Sequence, residues 1–136
     1  MKEIDKKEGV KWLQSLLQVR QEEAAPIIDK VSIAEATGKW EIKFEAFSEA
    51  LEKLPLILEH LKATPKAEGT NMKELSLIQE LEEKALEAYF ESCKLSMEYL
   101  KEPNRFLQST IVLKVALAKR FWESSAKEST AFLRRK

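Results

Sequence analysis

The chain has 136 residues, of which 44% are hydrophobic and 34% charged, and its 23 Lys and Arg balance 23 Asp and Glu. This composition excludes a disordered or collagen-like chain, and only three Gly and four Pro favour long helices. A chain of this length forms one domain with its own core, so residues 1–136 are treated as a single domain. The longest apolar runs, 24–28 and 54–58, are too short to span a bilayer, so no membrane span is expected.

Apolar residues recur at helical spacing in four segments. The predicted helices are Asp5–Thr37, Lys39–Lys62, Met72–Leu100 and Asn104–Arg134. The second helix has the most regular pattern, and its apolar row begins with Trp40 and Phe44. The row of the fourth helix begins with Phe106. We expect these rows to face the core.

Three breaks separate the predicted helices. Gly38 follows the first and has the character of a left-handed residue at a helix C-terminus. Thr64–Asn71 combines Pro, Gly and Asn and is predicted to be a loop. Lys101–Asn104 contains Pro103 and is predicted to be a tight turn at which a new helix begins.

Four helices of similar length with short connections predict an all-α fold, an antiparallel up-down-up-down four-helix bundle. Two prolines lie inside helical patterns, Pro26 in the first helix and Pro55 in the second. Proline removes a backbone donor and clashes with the preceding turn. A kink at either residue is therefore possible, as is a split helix.

Residues able to do chemistry are scarce. His60 and Cys93 are the only His and Cys, and Glu-x-x-His does not occur, which disfavours di-iron, haem and zinc sites. Glycines at three scattered positions cannot form a phosphate-binding loop. We therefore expect neither catalytic residues nor a cofactor, and a protein that is not an enzyme. The single Cys and a beginning without an apolar leader favour a cytoplasmic location.

Charge is unevenly distributed along the chain. Residues 1–93 hold 13 Lys and Arg against 19 Asp and Glu, whereas residues 94–136 hold 10 against 4. A basic last helix packed on acidic neighbours explains this distribution, and an anionic partner for that helix is the alternative. Lys119, Arg120, Lys127 and Arg134 lie on one outer arc of the fourth helix, but Glu123 interrupts it. No helix-turn-helix pattern is present, so nucleic acid is not expected as a partner.

Three charged residues fall inside apolar arcs at about 100° per residue: Arg20 in the first helix, Glu82 in the third and Lys114 in the fourth. Counting along stacked helices places Arg20 level with Glu82, and Lys114 about 10 Å further along the bundle. Since buried charges need partners, Arg20 and Glu82 are predicted to pair, with Lys114 reaching water along its own stem. The alternative is a polar core site in which these three residues bind an anionic small molecule.

The apolar arcs of the third and fourth helices are wide, and five residues flank them: Leu77, Leu95, Tyr99, Leu113 and Leu117. Such flanking residues can be covered by another protein or by a second copy of the chain. The sequence therefore favours a non-enzymatic interaction or assembly module, self-associating as a homodimer. A small-molecule-binding or sensor bundle is the alternative.

Overall fold

The computed structural model describes residues 6–63 and 72–134. Within these residues there are four helices and no strand. Helix α1 covers residues 6–37, α2 is Trp40–Lys62, α3 is Met72–Lys101 and α4 is Arg105–Arg134. The bounds agree with the predicted ones within a residue or two, and the all-α, four-helix class is confirmed. The predicted loop Thr64–Asn71, and Asp5 at the predicted start, lie outside the described residues.

Helix α1 is continuous but irregular. It consists of an α-helical part Lys6–Val19, a π-helical turn Arg20–Ala24 and a second α-helical part Ala25–Thr37. Pro26 is the second residue after the π turn, and α2 continues through Pro55. Neither proline splits its helix.

Two specific residues define helix ends. Gly38 adopts φ 70° and its N–H bonds to the carbonyl of Glu35 at 3.2 Å, as predicted for a left-handed C-terminal residue. The side-chain Oδ1 of Asn104 accepts the N–H of Leu107 at 2.8 Å and caps α4. The predicted turn at Lys101–Asn104 is thus present.

Replacing Gly38 by Ala should lower the free energy of unfolding by about 1–2 kcal/mol, because an L side chain disfavours positive φ. An added Cβ would meet nothing within 4 Å, so the loss would be purely conformational. Urea denaturation measures it. Asn is the matched control, since it tolerates this conformation and should lose less. Equal losses for Ala and Asn would contradict this origin.

Two hydrogen bonds join opposite ends of α2 and α3. Trp40, at the start of α2, donates its indole N–H to the carbonyl of Leu100 near the end of α3 at 3.5 Å. Gln79, near the start of α3, donates to the carbonyl of Leu61 near the end of α2 at 3.2 Å. At these contacts α2 and α3 run in opposite directions.

The core lies between the four helices and is formed mainly by aliphatic side chains. Its fully buried members include Leu13, Leu16, Leu54, Leu61, Leu75, Ile78 and Phe132. Each such side chain contributes roughly 1.5–3 kcal/mol through removal from water. Helix α3 is central because its backbone approaches both α2 and α4 closely, whereas the described backbones of α1 and α4 make few close approaches.

The predicted apolar rows of α2 and α4 extend beyond the buried core at the helix starts. Trp40, Phe44 and Phe106 continue the heptad-like spacing but are exposed. Trp40 and Phe44 stack on each other with ring centroids 5.1 Å apart. The prediction that these three face the core was wrong, because they lie at helix starts near one end of the bundle, where no other described helix covers them fully.

Candidate functional site

Arg20 and Glu82 form an ion pair in the bundle interior. The Arg20 Nε lies 3.2 Å from Glu82 Oε1, and the Glu82 side chain is 1% exposed. Arg20 keeps 24% of its side chain exposed, so its far end reaches the surface. The pairing predicted from the two helical patterns is present in the structure.

The Trp122 ring lies against the Arg20 side of the pair, and the hydrogen bonding of the buried polar groups is incomplete. The Arg20 guanidinium carbon lies 5.8 Å from the centre of the Trp122 ring, which in turn packs on Tyr89. Among the described residues, neither Glu82 oxygen makes a well-aligned hydrogen bond, nor does the Trp122 indole nitrogen or the hydroxyl of Ser125. Buried polar atoms in this state raise the free energy of the folded protein.

Burial shifts the acidity of Glu82. Removal from water raises the pKa of this carboxyl to about 7. The Arg20 guanidinium and, to a smaller extent, the Trp122 indole N–H oppose the shift by stabilising the charged form. Desolvation outweighs both, so Glu82 changes protonation near neutral pH.

The π turn begins at Arg20, the residue that reaches into the core. Its wider loop is closed by the N–H of Ala25, which bonds to the carbonyl of Arg20. Single π turns locally change the direction of helical side chains and often occur at functional positions. Here the turn coincides with the Arg20–Glu82 contact and precedes Pro26, a residue that has no N–H to donate to the turn before it.

Lys114 does not join this pair. Its ammonium contacts the carboxylate of Glu91 on α3, and both side chains are partly exposed. Glu91 is nine residues beyond Glu82, about 13 Å along α3. The structure therefore brings together two of the three predicted ligand-binding residues and places the third at the outer edge of α3 and α4.

A cleft opens at the end of the bundle where α1 meets α2 and α3 meets α4. Its volume is about 200 Å³. Apolar walls come from Phe47, Leu100, Ile111 and Val112, and polar groups from Glu35, Lys43, Ser96, Tyr99 and Gln108. It exists because α1 and α4 remain apart there. The cleft was not predicted from the sequence, because none of its polar residues interrupts an apolar arc.

Glu35 is the titratable group of this cleft with a shifted pKa. Desolvation raises the pKa of its carboxyl, and Lys43 and Lys119 partly oppose the shift. Among the described residues, no hydrogen bond or ion pair engages this carboxylate. The residue is exposed at the edge of the cleft.

The five predicted surface residues differ in exposure. Leu77, Leu113 and Leu117 are exposed, whereas Leu95 and Tyr99 are half-buried. Tyr99 lines the cleft.

Phe106, Leu113 and Leu117 follow one another at intervals of seven and four residues and so share a face of α4, which we call the α4 outer row. Phe106 is 80% exposed and Leu113 69%. Of the five predicted residues, only Leu113 and Leu117 belong to this row.

Comparisons with known proteins provide no match to a family model, to a curated protein or to a solved structure. None of the described helices is both long and apolar enough to cross a membrane. In residues 6–63 and 72–134, no group of three His, Cys, Asp or Glu side chains could hold a metal ion. Cys93 is buried in the core, and burial raises the pKa of its thiol to about 11, which keeps it protonated and unreactive.

Proposed function

We propose that this protein is a non-enzymatic helical-bundle interaction module that associates with a second copy of itself through the α4 outer row. The observation that supports this proposal most directly is the exposure of Phe106, Leu113 and Leu117 on one face of α4. Large exposed apolar side chains that share one helix face can mark a contact surface.

The charges near this row are compatible with a second copy. The chain has no net charge, and proteins in that condition do not repel their own copies. Lys114, beside the row, is already neutralised by Glu91.

The test is the concentration dependence of mass, by sedimentation velocity and light scattering from low-micromolar to sub-millimolar protein. We expect the wild type to shift from monomer to dimer over this range. Replacing Phe106 and Leu113 together by Gln should keep the protein monomeric without lowering its melting temperature, because these side chains are 80% and 69% exposed.

The matched control replaces Ile33 and Leu56 by Gln, two similarly exposed apolar residues on α1 and α2. This variant should dimerise like the wild type. A wild type that stays monomeric throughout, or a control that loses association as strongly as the row variant, would overturn the proposal.

A further inference from the structure

We propose that the cleft lined by Glu35, Tyr99 and Val112 binds a small amphipathic amine, with its ammonium on Glu35 and its apolar body between α3 and α4. This site is separate from the α4 outer row: Val112 points from α4 about 120° away from Phe106 by helical rotation. It is also separate from the Arg20–Glu82 pair.

Size and lining favour a ligand with one apolar part. The cleft of about 200 Å³ slightly exceeds the cavity of about 150 Å³ that accommodates benzene in an engineered protein. Phe47, Leu100, Ile111 and Val112 form the apolar walls. A single aromatic ring or a six-carbon chain therefore fits, and Val112, which is 63% exposed, gains the cover that it lacks.

The charge of the ligand follows from Glu35. Its carboxylate lines the cleft without a hydrogen bond or ion pair among the described residues, and Lys43 and Lys119 act on it only from beyond ion-pair distance. An ammonium adds the direct charge-assisted contact that the carboxylate lacks there and donates up to three hydrogen bonds. The hydroxyls of Ser96 and Tyr99 and the amide oxygen of Gln108 are acceptors on the same walls.

Lys43 determines how selective the cleft is. It lines the cleft and lowers the pKa of Glu35, so it competes with a bound ammonium by like-charge repulsion. A carboxylate ligand would instead be held by Lys43 and repelled by Glu35. Removing Lys43 must therefore strengthen binding of an amine and weaken binding of a carboxylate, which distinguishes the two ligand classes.

The experiment titrates the full-length, ¹⁵N-labelled protein with 2-phenylethylamine and, as matched probes, 2-phenylethanol and 3-phenylpropanoate, followed by amide chemical shifts. We expect the amine to shift resonances around Glu35, Tyr99 and Val112. Glu35→Gln should weaken its binding at least tenfold, because a charge-assisted hydrogen bond is lost. Lys43→Gln should strengthen it.

The control variant is Glu45→Gln, an exposed carboxylate on α2 that does not line the cleft. It should bind the amine as the wild type does. The proposal is overturned if the alcohol binds as tightly as the amine, if 3-phenylpropanoate is preferred, if Glu35→Gln binds normally, or if no probe shifts the cleft resonances at millimolar concentration. Circular dichroism of each variant establishes that a loss of binding is not a loss of fold.

Discussion

Replacing Arg20 by Met is expected to lower the free energy of unfolding by about 3 kcal/mol at about pH 8, the lower end of the range for breaking one side of a buried ion pair. The substitution preserves much of the apolar stem and the helix propensity of α1 but leaves the Glu82 carboxylate buried without its counter-ion. Chemical denaturation followed by circular dichroism measures the loss.

The loss should depend on pH in a defined direction. At about pH 5 Glu82 is protonated in the folded wild type, because its pKa is about 7, and a neutral carboxyl needs Arg20 far less. Arg20→Met should therefore be nearly as stable as the wild type in acid. Lys30→Met is the control, since Lys30 lies on the same helix as Arg20 but is exposed and pairs with Glu49 of α2. An equal loss at both pH values would show that only packing is affected.

Replacing Glu82 by Gln should have the opposite effect on stability. Glu82 has a pKa raised from 4.5 to about 7, so the folded wild type binds a proton that the unfolded chain releases. The contribution of Glu82 to the free energy of unfolding is therefore fully present below about pH 4.5 and decreases as the pH rises towards 7. Above about pH 7 the free energy of unfolding is lower by roughly 3 kcal/mol on this account. Gln does not ionise, so the variant should not show this fall.

At about pH 8 Glu82→Gln should be more stable than the wild type by about 1–3 kcal/mol, since Arg20 can reach water when it loses its partner. At about pH 5 the two proteins should differ little. Glu87→Gln, an exposed change on the same helix, should retain the pH dependence of the wild type. The same dependence in Glu82→Gln would rule out Glu82 as its source.

The double variant Arg20→Met, Glu82→Gln separates the pair from its surroundings. If the destabilisation by Arg20→Met arises from the uncompensated carboxylate, it should largely disappear once Gln is present. A loss that persists in the double variant would instead assign the effect to the lost contact between the Arg20 guanidinium and the Trp122 ring.

The burial of Glu82 and its pairing with Arg20 were predictable from the sequence, but the size of its pKa shift was not. Apolar periodicity placed Arg20 and Glu82 on inward faces, and the cost of an isolated buried charge required them to pair. The pKa of Glu82, however, depends on how completely neighbouring helices exclude water. That is a property of packing, and no pattern in the sequence indicates that the Trp122 ring lies beside Arg20.

Lys114 shows where helical rotation fails as a predictor. The rotation angle fixes the direction of the Cα–Cβ bond, but the four-carbon stem lets the ammonium lie several ångströms to one side. Glu91 on α3 stands at the right height on that side and attracts it. The partner, and hence the final position of the charge, follows from the placement of α3 against α4.

The sequence by itself determined the number of helices, their bounds and the identity of one interior ion pair, because periodicity, glycine and proline act locally and buried charge requires a partner. Tertiary packing alone decided the cleft at Glu35 and the exposure of Phe106. Both depend on the distance between helices and on where the bundle ends, and no local pattern encodes how far α4 stands from α1.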